Sequence, residues 1–290
     1  MWSGNGSAAV NILSGKVNPS GKLAETFPLK LEDNPSYLNF PGDGQTVHYA
    51  EGIYVGYRYY DKKKMEVRYP FGHGLSYTTF EYVDMKFSKN VVEGDETVQV
   101  EVTVKNTGLC RGKEIVQLYV SDKTDTVSRP IKELKNFAKV ELNPGEEKVV
   151  VMELNRRSFA YYEPKINDWF VPSGTYEIMA AASSRDIRLS KTLEVVSKDR
   201  IPMKIHWNTT ISELMKNEKT RSVIMKLVDA EIRKMENEAQ EGSVAAEAIT
   251  AEMSMKMFEN SPLRSFRNFN NMTEEQLENL MDSLKKALSS

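Results

Sequence analysis

The sequence predicts a mainly β protein with added helices: a fibronectin type III-like or immunoglobulin-like β-sandwich, preceded by a remnant of an α/β-sandwich domain and followed by a small α-helical extension. Three observations carry that expectation. Apolar and polar residues alternate strictly between about Phe80 and Val196, as half-buried antiparallel strands require. Apolar residues recur at spacings of three and four after Ser197, and the first 28 residues read as the closing helix and turn of an α/β unit.

Taken in order, residues 1–28 form the remnant. Asn5 or Ser7 is expected to cap a short helix whose apolar side carries Ala8, Ala9, Ile12 and Leu13. Gly15 stands where a helix ends in the left-handed conformation, and Asn18-Pro19-Ser20-Gly21 makes the next turn. One helix and one strand bury almost nothing alone, so a partner surface is expected here. Residues 29–79, rich in Pro, Gly and Tyr, form an irregular inter-domain connection. Its stretch Tyr49–Asp61 is too aromatic for a floppy linker and is expected to pack against two neighbours.

Residues 80–197 form the sandwich. Thr97–Val104 places valines on one face, and further strands are expected at Ile115–Val120, Leu134–Leu142, Lys148–Leu154, Gly174–Ala181 and Ile187–Val196. Turn chemistry separates them, as at Asn143-Pro144-Gly145. About seven strands with turns at short intervals is the pattern of such a sandwich. It is expected to hold a self-contained core, so that trimming to about Tyr77 leaves cooperative unfolding intact.

Residues 198–290 form the helical extension. Thr209 or Ser212 is expected to cap a helix carrying Ile211, Leu214, Met215, Ile224 and Val228, a second helix spans Ser243–Phe258, and Thr273 with Gln276 makes a capping box before a third. The methionines between Met215 and Met257 are read as packing rather than as a binding face.

Composition narrows the function classes. With 290 residues, 40% hydrophobic and 28% charged, the chain suits about two soluble domains. A formal net charge of −2 gives no electrostatic ground for nucleic acid or an anionic membrane as partner. No apolar run reaches the ~20 residues that span a bilayer. The N-terminal residues lack the basic-then-apolar pattern of an export signal, so a bacterial cytoplasmic location is expected. Cys110, the single cysteine, rules out an internal disulfide and is read as a passive thiol in a strand-connecting loop. His48, His73 and His206 lack metal-ligand spacing, so neither metal nor cofactor is expected. The sequons at Asn5, Asn208 and Asn271 are read as unused.

Three motifs occur in succession: NPSGKLAETFP at Asn18–Pro28, YAEGIYVGYRYYD at Tyr49–Asp61 and YPFGHGLSYTTFEY at Tyr69–Tyr82. Together they resemble the C-terminal region of glycoside hydrolase family 3, of the β-glucosidase and β-xylosidase type. The last ninety or so residues look like a helical extension found on some bacterial members. The resemblance implies hydrolysis of terminal β-linked sugars with retention, which needs two carboxyl groups about 5–5.5 Å apart. In the family the nucleophile is an aspartate on an N-terminal barrel, and the acid/base is usually a glutamate on the α/β domain. Neither motif occurs in these residues, so no catalytic residue is assigned. The implied partners are that barrel and α/β domain, in cis or in trans, and carbohydrate is met only through them.

Glu51, Arg58, Asp61 and His73 are read as an inter-domain structural motif. Glu51 and Arg58 are expected to fasten the connection through an Arg–carboxylate pair or backbone hydrogen bonds, and His73 lies between Gly72 and Gly74, whose freedom lets it reach either domain. Glu163 and Asp168 are read as solvated turn acids. Tyr161, Tyr162, Trp169 and Phe170 are read as core and inter-domain packing rather than as rings that stack on sugar. The alternatives are a non-catalytic carbohydrate-binding or adaptor module, or one half of a split enzyme.

Overall fold

A computed structural model of the chain describes residues 3–124, 126–227, 259–269 and 272–289. The chain divides into two compact units, Met1–Arg200 and Ile201–Ser290.

The first unit is built on a sandwich of two sheets. Strands β3 (Phe80–Phe87), β5 (Val98–Asn106) and β8 (Glu147–Leu154) make a three-stranded sheet in the order β3-β5-β8. The other sheet has the order β4-β12-β11-β6-β7, from β4 (Val91–Glu93), β6 (Gly112–Asp122), β7 (Glu133–Leu142), β11 (Gly174–Ser183) and β12 (Asp186–Val196). All pairings are antiparallel except β12 with β4. The valine alternation of β5 does what the pattern demands: Val98, Val100, Val102 and Val104 are fully buried, while Gln99 and Glu101 face solvent. These valines meet Val116, Leu118, Tyr176, Ile178 and Leu193 in one core.

Strands β6 and β11 are buried on both faces. Their second face carries Tyr119, Met179 and Ala181, which pack under Tyr57 and Phe71 of the preceding segment. Tyr57 belongs to the short helix α2 (Tyr57–Lys62), and its ring meets Phe71 at 5.0 Å and Tyr119 at 5.9 Å between centroids. The second half of the connection therefore completes the sandwich. Residues 80–196 do hold a core of their own, but trimming to about Tyr77 would open the face of Tyr119 and Met179 to water.

Other differences have local causes. The helix α1 runs Ser3–Leu13, so Asn5 and Ser7 lie inside it and neither is its cap. Its end is as read: Gly15 has φ of 71°. The residues between Tyr161 and Phe170 form a hairpin, β9 (Tyr161–Glu163) with β10 (Asp168–Phe170), whose three-residue strands are too short to show a period. Strands β3 and β4 also lie outside the expected set: β4 is too short to show a period, and a register shift between Tyr82 and Asp84 interrupts the alternation of β3.

In the second unit the cap of α4 (Ile211–Met215) is Thr210, in a capping box with Glu213, rather than Thr209 or Ser212. Thr209 instead accepts a hydrogen bond from the His206 amide. The expected single helix breaks at residues 216–217, because the Asn217 side chain accepts from the Lys219 and Thr220 amides and starts a new helix over 218–227. Thr273 and Gln276 form their capping box, and α5 (Glu274–Ser289) buries Leu277, Met281 and Leu284 against Ile211, Leu214, Ile224 and Leu263. The helix expected at 243–258 lies outside the described residues.

Leu118 sits fully buried between the sheets. Leu118→Ala should cost about 2–5 kcal/mol, read as a fall in the urea midpoint without a change in slope. Deleting residues 1–77 should lower that midpoint or abolish the transition, and an unchanged midpoint would show that α2 is not part of the fold.

Candidate functional site

The connection is held by charge. Asp61, at the end of α2, is buried and accepts from Lys132 Nζ through Oδ2 and from Arg185 Nε through Oδ1, each at 2.8 Å. Arg185 also donates to the Met65 carbonyl at 2.8 Å. Arg58, from the same turn, pairs with Glu133 at 3.3 Å rather than with Glu51. Glu133 is shared further with Arg129 at 3.2 Å and Lys135 at 3.3 Å. Burial alone would raise the Glu133 pKa, but Lys135, Arg58 and Arg129 outweigh it and hold the carboxyl below the usual range. Arg129 is buried as well: it bonds Asp122 at 2.9 Å and the carbonyls of Phe159 and Ala160.

Two asparagines that the sequence reading passed over tie the loops at one end of the sandwich. Asn18 accepts from Ser76 Oγ at 3.0 Å and the Tyr77 amide at 2.8 Å, and donates to the Arg111 carbonyl at 3.0 Å. Asn106, fully buried, donates to the Cys110 and Leu142 carbonyls and accepts from Thr78 Oγ1 and the Gly108 amide. All the bonds an amide of this size makes locally are used, which fixes the turn where Cys110 sits. The Cys110 thiol donates to the Tyr77 carbonyl at 3.2 Å, in the loop between β5 and β6.

Lys22 reaches the sandwich at Glu114 on β6, 3.2 Å away, where Tyr82 also donates to the carboxylate at 3.1 Å. Burial pushes the Glu114 pKa up, and the nearby Lys22, Tyr82 and Arg188 only partly offset it. His73 stacks on Tyr69 at 5.3 Å. The flanking glycines have different reasons. Gly72 has φ of 78°, and a Cβ there would fall 2.1 Å from the Gln117 amide oxygen. At Gly74 a Cβ would fall 2.2 Å from the Gly21 carbonyl oxygen, so close approach rather than an unusual angle demands glycine.

Glu51 stands apart from the ion pairs: its Oε2 is buried without a hydrogen-bond partner. Glu163, read as a solvated turn acid, is buried and accepts from the Lys165 amide at 2.9 Å and Tyr161 OH at 3.3 Å. Asp168 is exposed, as a turn acid would be. Trp169 packs against the sandwich core with the Arg157 guanidinium over its ring, and Tyr162 meets it edge-on. Among the described residues no group of three or more His, Cys, Asp and Glu side chains could hold a metal ion, and no helix is long and apolar enough to cross a membrane.

This arrangement does not suit hydrolysis. Asp61, Asp122, Glu114 and Glu133 are each committed to cations, and Glu163 to local donors, which leaves none of them poised to attack or protonate a sugar. What the unit does offer is an uncovered apolar surface. More than half of the exposed large apolar side chains among the described residues fall between Val10 and Tyr77, including Leu13, Leu31, Leu38, Phe40, Tyr49 and Leu75.

Residues 3–77 match the glycosyl hydrolase family 3 C-terminal domain, and residues 114–184 match the fibronectin type III-like domain. The chain corresponds to the C-terminal region of a glycoside hydrolase family 3 protein. It is 46% identical over 285 residues to thermostable β-glucosidase B of Acetivibrio thermocellus, covering 96% of this chain and 36% of that protein. That match runs through the helical unit, where the sequence motifs had given out. An exo-α-(1→6)-L-arabinopyranosidase of Bifidobacterium breve is 44% identical over 204 residues, covering 70% of this chain and 27% of that protein. A family 3 β-glucosidase structure from Bifidobacterium adolescentis superposes with a TM-score of 0.68 at 39% identity, covering 76% of this chain and 32% of that one. The chain thus spans about a third of the length of these relatives.

Two outcomes follow from the charges. Asp61→Asn strands Lys132 and Arg185 and should cost about 3–5 kcal/mol in urea unfolding. For Glu114, the native pKa is raised, so the native state binds the proton more tightly and ionisation costs stability. The stability of wild type relative to Glu114→Gln should therefore fall as pH rises from about 4.3 through the raised native value. A difference that grows with pH would contradict the assignment.

Proposed function

We propose that this chain is the bracing, non-catalytic part of a retaining β-glucosidase-like enzyme that removes terminal β-linked sugars. In this reading the nucleophile and the acid/base stand on a barrel and an α/β domain that dock on residues 1–77, in cis or in trans. The observation that carries it is the combination within the first unit: Asp61, Asp122, Glu114, Glu133 and Glu163 are committed to structural partners, while apolar side chains lie uncovered between Val10 and Tyr77. The β-glucosidase relatives, about three times as long, support the substrate class. The arabinopyranosidase, 44% identical over 204 residues, fits the same division, since a shared brace leaves sugar choice to loops elsewhere. The bound sugar is held by the catalytic domains, and no metal or cofactor enters the reaction.

The test is an assay of aryl β-glucosides with the purified chain, alone and after mixing with a family 3 barrel and α/β domain lacking this region. The chain alone should give no turnover above a mock preparation, and the mixture should regain activity. Turnover by the chain alone would overturn the reading.

A further inference from the structure

A cavity of about 350 Å³ opens where the end of α2 meets the loop between β6 and β7, lined by the apolar Val127, Pro130 and Ile131 and by six polar residues, Lys62, Ser121, Asp122, Lys123, Ser128 and Arg129. That volume falls at the small end of the range for small-molecule sites. Three of the six are cations. The only carboxylate among the described lining residues is already engaged, since Asp122 accepts from Arg129 through Oδ2 and from the Thr124 amide through Oδ1. Lys62 Nζ donates to the Arg129 carbonyl at 3.0 Å and Lys123 pairs with Glu177 at 2.8 Å, and each ammonium keeps further N–H donors.

Arg129 and Asp122 tie the cavity to a set of ion pairs with excess positive charge. Arg58, Arg129 and Lys135 are joined through Asp122 and Glu133 into one ion-pair cluster, and Lys132 and Arg185 share Asp61 in a second; across this network of two clusters five cations meet three carboxylates, a formal surplus of +1 in each. No side chain in the network is more than 35% exposed. Surplus charge in such a setting is costly, because water cannot fully screen it. Lys135 reports the strain: burial lowers its pKa and Arg129 and Arg58 push it lower, against the pull of Glu133. An anion in the cavity would offset that cost.

We propose that this cavity binds a small oxyanion of the phosphate or sulfate type, free or carried on a sugar, with Lys62 and Lys123 as the contacting cations and Arg129 as its fixed wall. The inference is independent of the hydrolytic reading, because it concerns only the sandwich and the segment packed on it.

The experiment is thermal unfolding of the full chain titrated with inorganic phosphate, glucose 6-phosphate or glucose, against sodium chloride at matched ionic strength. The oxyanions should raise the midpoint beyond chloride, with half-saturation at millimolar concentration or below. Lys62→Ala/Lys123→Ala should weaken that binding at least tenfold, and the single exposed change Lys62→Gln should weaken it in the same direction. Glucose 6-phosphate binding tighter than phosphate would identify a sugar-borne anion, and equal binding a free one. A midpoint that follows ionic strength alone, or a response the variants leave unchanged, would overturn the proposal.

Discussion

The Asp61 carboxylate is the constraint on which the first unit turns. It joins α2 to Lys132 before β7 and to Arg185 at the β11–β12 turn, residues 71 and 124 positions away in the chain. With that anchor in place, Tyr57 and Phe71 lie over Tyr119 and Met179, and the central strands β6 and β11 are covered on both faces. A sheet of this kind otherwise has one face in water, and its central strands β6 and β11 carry apolar residues on both. The ion pairs contribute little as isolated surface contacts would; buried as they are, their value lies in orienting the covering segment.

The sandwich was legible in the sequence because alternation is a strong signal in strands such as β5 and β8. The capping box at Thr273 was legible for a similar reason, since the chemistry is complete within four residues. What stayed hidden were non-local partners. Arg58 and Asp61 were recognisable as structural residues, but nothing local assigns Arg58 to Glu133 or Asp61 to Lys132 and Arg185. Asn18 reads as an ordinary turn residue and nothing local singles out Asn106, although their amides tie three loops together. Glu163 reads as a solvated acid because a three-residue hairpin strand has no period to show that it is buried.

Function follows from how the carboxylates are used. A retaining glycosidase must keep two acids close together and free to exchange roles between nucleophile, acid and base. In the first unit Asp61, Asp122, Glu114 and Glu133 neutralise cations and Glu163 accepts local hydrogen bonds, as a brace requires, while Glu51 Oε2 alone among the described carboxylate oxygens is buried without a partner. The same unit leaves its apolar residues uncovered along the segment that matches the family 3 C-terminal domain. The parts of the molecule that hold the fold and the part that would meet a larger body are thus separate: charge fixes the segment to the sandwich from behind, and apolar side chains face outward.

The most direct measurement of this account is the intact mass of the native cellular product, captured with an antibody to the sandwich and weighed by mass spectrometry together with whatever co-purifies. The account predicts either a polypeptide well above 33.0 kDa or a 33.0 kDa chain bound to a separate barrel-bearing subunit. A solitary 33.0 kDa chain with nothing on its apolar surface would contradict it.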